Sequence, residues 1–472
     1  MNDNRIKRTS APSMSEGAAH EVATWKIAAI AMLGSLLAQL DATIVNVSLT
    51  SLAADLRSSI SVIQWVTSGY LLALALALPL NGWLVERIGA KALYLWCFAI
   101  FTISSGLCGL AWSASSLIGF RLLQGASGGL LAPMAQLMIK RAAGERFTRV
   151  AGYATAPVLL GPVLGPVIAG EILHYASWRW LFLVNLPIGI LAFLLAARFL
   201  PNARDGYASR RLDWMGLALL SPGLALILFG LSSIARPVGM MSVVAGAALL
   251  ALFVRVENRK GDDALIDIPL FHQRTFSAAS VTRFFSTGTM YAGQMLVPMF
   301  LMQARGLSPA MMGWMLMPMG LGMMVALPSL GFLSHRFGER RVAVSGAALS
   351  LLSTLVLVWQ AMHGLNKVFL MTVLFFRGMG LGAVGLPVIS LAYASIPEKS
   401  LPMATTTLNI VQRIGGPTLT TLCALFLSWA LQNHVSHFEL SAWSEAFLML
   451  FALHAVTVFA TLRLPTSIDG SS

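Results

Sequence analysis

The chain has 472 residues, of which 57% are hydrophobic and 11% are charged, and its mean hydropathy is +0.76. These values exclude a soluble globular protein and predict an integral membrane protein. The formal net charge of +13 does not indicate nucleic-acid binding, because the basic residues follow the topology of a membrane protein.

Apolar runs of about 20 residues, long enough to cross a hydrocarbon core of about 30 Å as helix, recur along the chain. The runs are continuously apolar rather than alternating, which favours helices over a β-barrel. The predicted fold class is an all-α polytopic membrane protein with 14 transmembrane helices. The predicted spans are roughly 27–48, 62–84, 93–113, 116–139, 150–173, 180–200, 213–234, 240–256, 277–302, 310–333, 342–361, 367–391, 404–430 and 443–463.

The basic residues alternate from loop to loop. Of the 32 Lys and Arg residues, 23 fall on the side of the two termini, five fall on the other side and four fall within spans. This is the positive-inside pattern, so both termini are predicted to be cytoplasmic. The same alternation supports 14 spans, because the loss of one span would invert every later loop.

Both ends of the chain are polar. Residues 1–24 are predicted to be a disordered cytoplasmic N-terminus, and residues 464–472 a cytoplasmic tail. The first apolar run continues past Asp41 without a small-residue cleavage site, which predicts a retained span rather than a signal peptide. All three cysteines fall within predicted spans, so neither disulfides nor a Cys-based metal site is indicated. No metal and no cofactor is predicted.

An internal repeat divides the chain. The stretch GWLVERIGAK at 82–91 matches GFLSHRFGER at 331–340, and GFRLLQG at 119–125 matches FFRGMG at 375–380. The two copies are eight spans apart, which indicates six spans, two inserted spans and six more. The predicted domains are an N-terminal six-helix bundle at 25–200, a two-helix insert with cytoplasmic linkers at 201–275, and a C-terminal six-helix bundle at 276–463. Duplicated bundles of this kind are typical of secondary transporters.

These motifs resemble those of the major facilitator superfamily, and within it the fourteen-helix drug:proton antiporter branch of bacterial multidrug exporters. The loop at 82–91 is similar to the superfamily's first loop signature, with Glu86 where Asp is usual. Arg121, Gln124 and Gly125 match its fourth-helix signature. The stretch LDATIVNV at 40–47 resembles the first-helix signature of the branch, and SWRW at 177–180 through NLPIG at 185–189 resembles its entry to the sixth span.

The fifth predicted span resembles the antiporter signature, with Ala169 where Gly is usual. The matching residues are Gly152, Gly161, Gly165, Pro166 and Gly170. Small residues four apart form a helical stripe along which another helix can approach closely, and prolines bend the helix. The segment is predicted to seal or rock at the interface of the two bundles, with ordinary tight packing as the alternative.

Asp41 is the acidic residue that we place well inside a span. Burial disfavours its charged form, which makes it a candidate proton carrier. At a rise of 1.5 Å per residue, Asp41 and Arg121 fall at similar depth, so the two are predicted to form the proton-coupling pair. The alternatives are a permanent structural pair and an Arg that holds the bundle together through backbone carbonyls.

Three further Arg residues fall within spans of the second half. With Gln124, they are candidate residues of a substrate cavity: Arg283, Arg377 and Arg413. They would attract anionic or zwitterionic groups or repel protons; alternatively, backbone carbonyls cap each of them.

The repeated loops are predicted to form a cytoplasmic gate with exposed, easily broken contacts. The gate residues are Gly82, Glu86, Arg87, Gly89, Lys91 and Arg336.

The resemblance implies a proton-driven antiporter in the bacterial cytoplasmic (inner) membrane, which exports small amphipathic compounds by alternating access. The chain has no Gly-x-x-x-x-Gly-Lys-Ser/Thr run and no catalytic residue set within a span, so neither an ATP-driven pump nor an enzyme is predicted. The alternatives are a dedicated metabolite or organic-anion exporter and, in another class, a non-transporting sensor or scaffold. The predicted partners are a small-molecule substrate, protons and the lipid bilayer, with a periplasmic adaptor left open.

Overall fold

The computed structural model describes residues 14–201, 212–234, 236–260, 268–433 and 439–466. Its α-helices, in chain order, are α1 Met14–Val47, α2 Leu49–Asp55, α3 Ile60–Ala77, α4 Leu80–Ile88, α5 Ala90–Gly109, α6 Ala114–Ala143, α7 Phe147–Thr155, α8 Gly161–Tyr175, α9 Trp180–Leu183, α10 Asn185–Phe199, α11 Trp214–Ser232, α12 Pro237–Glu257, α13 Arg274–Met299, α14 Pro309–Phe337, α15 Glu339–His363, α16 Lys367–Ala394, α17 Leu401–Asn433 and α18 Glu439–Leu462. The predicted all-α fold is confirmed. Helices suit a bilayer because every backbone group is satisfied within its own segment.

The number of membrane helices is lower than predicted when it is judged by length and hydropathy alone. In the described ranges, 11 helices are long and apolar enough to cross a membrane, or up to 12 if α3 and α4, which are bent by 58°, form one span. The fold is thus a multi-pass membrane protein, and the count of 14 is not confirmed.

The two predicted spans outside this set are helical, but each departs from a simple apolar helix. The predicted span 150–173 falls on α7 and α8, which a 3-10 turn at Ala156–Leu160 separates. The predicted span 277–302 falls on α13, which has 26 residues and is therefore long enough to cross a bilayer. Its Arg, Ser, Thr and Gln side chains lower its mean hydropathy.

The N-terminal helix begins earlier than predicted. Helix α1 starts at Met14, within the stretch 1–24 that was predicted to be disordered, while residues 1–13 lie outside the described part of the chain. The extra turns are stabilised by contacts with the end of α6. The Thr24 hydroxyl donates to the Ala142 carbonyl at 3.1 Å, and Glu21 lies 3.7 Å from Arg146.

The helices before residue 200 pack mainly around α6, which contacts α1, α3 and α5. Two glycines of α6 allow α3 to come close. A Cβ at Gly125 would overlap the Tyr70 carbonyl, and a Cβ at Gly129 would lie 2.5 Å from the Leu74 carbonyl oxygen. After residue 274, α16 packs against α14 and α15, and α13 packs against α17 and α18.

Helices α11 and α12 pack against each other, and α11 also contacts α3 and α17. The Ser221 hydroxyl donates to the Leu76 carbonyl at 3.0 Å, and the Thr421 hydroxyl donates to the Leu231 carbonyl at 3.3 Å. Asp213 caps α11 by accepting from the Gly216 amide at 2.8 Å, and it pairs with Lys260 beyond the end of α12. The pair of helices therefore fills a place between the two repeats.

The two copies of the repeated loop have the same backbone. Gly89 precedes α5 with φ 83° and ψ 154°, and Gly338 precedes α15 with φ 86° and ψ 148°. Side chains with a Cβ rarely adopt this conformation, which explains why both copies have Gly at this position. We call the side of the molecule that carries these two loops the basic face, and the other side the opposite face.

Candidate functional site

A buried ion pair occupies the centre of the first group of helices. The Arg121 guanidinium on α6 lies 2.5 Å from the Asp41 carboxylate on α1, joining Nη1 to Oδ2, and both side chains are 0% exposed. The structure therefore brings together the two residues that were predicted to form a pair. A buried pair is held only where further hydrogen bonds satisfy the remaining atoms of both groups.

Two amide side chains complete the shell of the carboxylate. Gln124 Nε2 donates to Asp41 Oδ1 at 3.0 Å, and Asn185 Nδ2 on α10 donates to the same oxygen at 2.9 Å. Asn185 also lies 3.1 Å from the Ser105 hydroxyl, which donates to the Phe182 carbonyl. Asp41 thus accepts hydrogen bonds from residues of α6 and α10.

Gln124 has a different place from the one predicted. It was a candidate residue of the substrate cavity, but it is fully buried and it accepts from Arg121 Nη1 at 2.8 Å while donating to Asp41. Its distance of three residues from Arg121 puts both on one face of α6. That spacing was the signal in the sequence for a contribution to the ion pair.

Asn185 was not singled out as a site residue. It entered only as part of the motif at the start of the sixth predicted span. The feature of the sequence that could have identified Asn185 is the same as for Asp41: a polar side chain buried at membrane depth needs a partner.

The guanidinium of Arg121 is also held from the side of α3. Its Nε donates to the Val66 carbonyl at 3.1 Å, and its Cζ lies 4.1 Å from the centre of the Tyr70 ring, a distance typical of a cation–π contact. The Tyr70 hydroxyl donates to the Ala38 carbonyl of α1 at 3.3 Å. The close approach of α3 to Gly125 and Gly129 places the ring against the guanidinium.

Every partner of Asp41 that we describe presents an N–H group to the carboxylate: Arg121, Gln124 and Asn185. Both carboxylate oxygens accept from these donors. The contacts of this one side chain therefore join α1 to both α6 and α10.

The three Arg residues of the second half differ from one another. Arg377 is fully buried among helices and donates to the Thr354 hydroxyl, so its prediction as a cavity residue is not supported by its position. Arg283 on α13 is half-buried and donates to Gln412 on α17. Arg413, also half-buried, interacts electrostatically with Tyr291 and with Tyr70 of the first half. The alternative for all three was capping by backbone carbonyls. Arg283 and Arg377 instead donate to side chains.

Contacts between the first and second groups of helices lie at the basic face. The Thr148 hydroxyl on α7 donates to Glu339 Oε1 on α15 at 2.6 Å. Asn81 on α4 donates to the Thr406 hydroxyl of α17 at 3.2 Å. In addition, Asn409 on α17 donates to Gln136 on α6 at 3.2 Å. These hydrogen bonds hold the basic face closed.

The predicted gate residues surround these contacts. Gly82 is buried, and a Cβ there would overlap the Met403 side chain of α17. Arg87 and Arg336 are exposed and lie over the neighbouring rings of Trp83 and Phe337, at 5.4 and 5.6 Å. Glu86 and Lys91 are half-buried. Glu339, at the second copy of the loop, makes the contact to the first half and was missed because only Arg336 was chosen there.

The antiporter-type segment contacts two different helices. A Cβ at Gly152 would overlap the Leu327 carbonyl of α14, whereas a Cβ at Gly165 would overlap the Thr43 side chain of α1. Gly161 begins α8, and the side chain of Pro166 lies outside the described residues. At Gly170 a Cβ would meet nothing within 4 Å. Another helix thus approaches closely at Gly152 and Gly165 and not at Gly170. Sealing or rocking of this segment at the bundle interface stays a prediction.

An ion pair on the opposite face contrasts with that of Asp41. The Trp178 indole donates to Asp55 Oδ2 at 2.6 Å, and Arg179 Nη1 donates to the same oxygen at 3.0 Å. These hydrogen bonds, that of Trp178 first, hold the pKa of Asp55 below its ordinary value of 3.8. Because its side chain is 50% exposed, this carboxylate is a suitable control for the buried one.

Comparisons with known proteins show the family and the fold of the chain. The family described as Major Facilitator Superfamily matches residues 31–418 and 278–469. The chain is 34% identical over 422 residues to the multidrug resistance protein B homolog of Mycobacterium tuberculosis (strain ATCC 25618 / H37Rv), covering 88% of this chain and 78% of that protein. It is 30% identical over 410 residues to the putative multidrug resistance protein MdtD of Cronobacter sakazakii, covering 85% and 86%.

Among solved structures, the proton:xylose symporter XylE superposes with a TM-score of 0.64 and 13% identity, over 93% of this chain and 95% of that chain. A likeness at this identity concerns the fold alone. The fold that carries the buried ion pair and the repeated loops is therefore shared with solved transporters.

Proposed function

Because the chain belongs to the major facilitator superfamily, we propose that this membrane transporter is a proton-driven antiporter that exports small amphipathic compounds across the bacterial cytoplasmic membrane. The observation that carries the proposal is the buried Asp41–Arg121 pair with its amide donors. A carboxylate at membrane depth is costly to keep unless it has a function, and proton relay is a common one. The names of its relatives, both multidrug resistance proteins, support drugs as the substrate class.

The proposal includes the fourteen-helix branch of the family. Helices α11 and α12 supply the two extra spans between two six-helix halves, at about 25–200 and 276–463. The packing of α11 against α3 and α17 supports this order. The basic face is then cytoplasmic, with both termini on that side, as the distribution of Lys and Arg favours.

Transport proceeds by alternating access in this proposal. The conformation described above is closed at the basic face, so the substrate route opens to the opposite face. A proton from that side neutralises Asp41, loosens its bonds to Arg121 and Asn185, and changes the packing of α1 on α6 and α10. Opening of the basic face then breaks the contacts of Thr148 and Asn81, and loss of the proton to the cytoplasm resets the pair. Substrate and proton thus favour different states, which is the requirement for antiport.

The decisive experiment uses proteoliposomes that hold the purified protein and a pH-sensitive dye. Under an imposed pH gradient, a panel of lipophilic cations and organic anions is added one compound at a time, and substrate flux and proton flux are both followed. The wild type should exchange protons for at least one compound. Asp41→Asn should lose gradient-driven flux while it still binds that compound.

The control variant is Asp55→Asn, which removes a carboxylate from the opposite face and should transport as the wild type does. A folded Asp41→Asn protein that still exchanges protons for substrate at the wild-type rate would contradict the proposal.

A second candidate function is the export of a metabolite or another organic anion. It is favoured by Arg283 and Arg413, which bring two half-buried cations to α13 and α17. The same panel separates the two functions, since a dedicated exporter would carry one anionic compound and no lipophilic cation.

A further inference from the structure

The second half contains a buried cation with unpartnered donors. Arg377 on α16 is 0% exposed and gives one hydrogen bond from Nη1 to the Thr354 hydroxyl. Its Nε and Nη2 atoms are buried and have no hydrogen-bond partner among the described residues. His454 on α18, which is 1% exposed, interacts electrostatically with Arg377, and its Nε2 is likewise without a described partner.

This cluster matches the Asp41 site through the internal repeat. Ser105 lies 16 residues beyond Gly89 on α5, and Thr354 lies 16 residues beyond Gly338 on α15. Arg121 and Arg377 occupy the corresponding phenylalanine-arginine motifs of α6 and α16. Each site therefore combines an Arg with a hydroxyl side chain at the same place in the repeat.

The other members of the two clusters come from corresponding helices but differ in chemistry. The last helix of the first half supplies Asn185, and the last helix of the second half supplies His454. The first helix supplies Asp41 in one half and Gly293 on α13 in the other, where a Cβ would overlap Arg377 Nη2. The second site thus resembles the first with its carboxylate removed.

A guanidinium cannot release its proton in a protein, so Arg377 remains a buried charge. Buried charges are normally paired, because an isolated one is costly. Buried donors without a protein partner indicate a bound water or ion. Water would satisfy hydrogen bonds but would leave the charge uncompensated, whereas an anion does both.

We propose that Arg377 and His454 bind a small monovalent anion, chloride under ordinary conditions, in place of the carboxylate that the first half provides. One negative charge balances one guanidinium. The cluster is closed by the side chains of α13, α15, α16 and α18, so a halide fits this chemistry better than the charged group of a drug-sized substrate. The site stabilises the second half as a unit and does not depend on the proton-coupling role of Asp41.

The test measures the unfolding temperature of the purified transporter while sodium chloride replaces sodium gluconate at constant ionic strength. A chloride concentration ten times the Kd should raise the unfolding temperature by about 1 to 2 °C, and the rise should saturate. Sodium bromide should act in the same way. Crystals grown in bromide should show its anomalous signal beside Arg377.

Two variants should abolish the response for different reasons. Arg377→Met removes the charge, and Thr354→Asp supplies a carboxylate of the chain itself at the position that accepts from the guanidinium. Thr354→Asp keeps the test decisive if Arg377→Met fails to fold. Arg305→Gln, which changes a half-buried Arg elsewhere in the second half, should retain the full response.

The proposal is overturned if the wild type has the same unfolding temperature in chloride and gluconate. It is also overturned if Thr354→Asp responds to chloride as the wild type does, because the effect then comes from the solvent rather than from this site. Neither result would bear on antiport, which is measured by flux.

Discussion

Replacement of Asn185 by Leu should destabilise the packing of α10 against α1. The side chain keeps nearly the same volume but no longer donates to Asp41 Oδ1, a hydrogen bond of 2.9 Å. A hydrogen bond to a charged group contributes about 1.5 to 3 kcal/mol. The free energy of unfolding should therefore fall by about 1.5 to 3 kcal/mol.

The assay is denaturant titration of the purified protein in detergent. The matched control is Ser105→Ala. Its hydroxyl lies 3.1 Å from Asn185 and does not contact Asp41 in the contacts that we describe, so this variant should lower the free energy of unfolding by a smaller amount. Substrate flux in proteoliposomes is measured alongside for each folded variant.

Two results would refute this reasoning. An unchanged free energy of unfolding in Asn185→Leu would mean that the amide does not hold α10 to Asp41. An equal loss in Ser105→Ala would mean that general loosening of the helix packing, rather than loss of the bond to Asp41, sets the stability.

Three further predictions concern packing, closure and a control carboxylate. Gly129→Ala should lower the free energy of unfolding by about 1 to 3 kcal/mol, because its methyl would lie 2.5 Å from the Leu74 carbonyl oxygen; Gly119→Ala, with nothing within 4 Å, should not destabilise, as denaturant titration can check. Thr148→Val should loosen the basic face, because Glu339 loses its hydrogen bond from the first half, and cysteines introduced nearby should react faster with a water-soluble maleimide. Since the pKa of Asp55 is lowered by Trp178 and then Arg179, its bonds stabilise the fold above its ordinary pKa of 3.8 and are lost as the pH falls below it; Asp55→Asn should leave the transport profile between about pH 5 and 8 unchanged.

The ion pair could be predicted from the sequence because the membrane limits where a charge can lie. A helix that crosses a bilayer has a known rise per residue, so the depths of Asp41 and Arg121 follow from their distance to the helix ends. A buried charge at that depth needs an opposite charge. These two constraints left Arg121 as the expected partner, and the structure joins them at 2.5 Å.

The surroundings of the pair could not be predicted in the same way. Whether Gln124 faces a cavity or a neighbouring helix depends on how α6 is rotated in the bundle, which its depth does not determine. The same uncertainty put Arg377 among the cavity residues, although it is fully buried. For Asn185, the contact with Asp41 depends on α10 lying beside α1, and no local pattern specifies that neighbour.

The number of spans shows a different limit of prediction from the sequence. Hydropathy averaged over a window treats 150–173 as one helix, but the 3-10 turn at Ala156–Leu160 divides it into two short ones. The prolines and glycines of this stretch indicated a bend, although not where the helical hydrogen bonds change. In α13, polar residues that lower its hydropathy also make contacts inside the bundle, such as Arg283 with Gln412.

The 3-10 turn in this segment has a consequence for the proposed coupling. On one side of the turn, Gly165 of α8 rests against Thr43, two residues after Asp41; on the other side, Gly152 of α7 rests against Leu327 of α14. In the proposed mechanism, a shift of α1 on protonation of Asp41 would meet α8 directly, whereas α7 holds the contact that closes the basic face. Since both contacts are too tight to admit a Cβ, neither helix can absorb a shift by repacking side chains. The turn between them is the place where the segment can change shape, so we expect it to transmit movement at the proton site to the closure of the basic face.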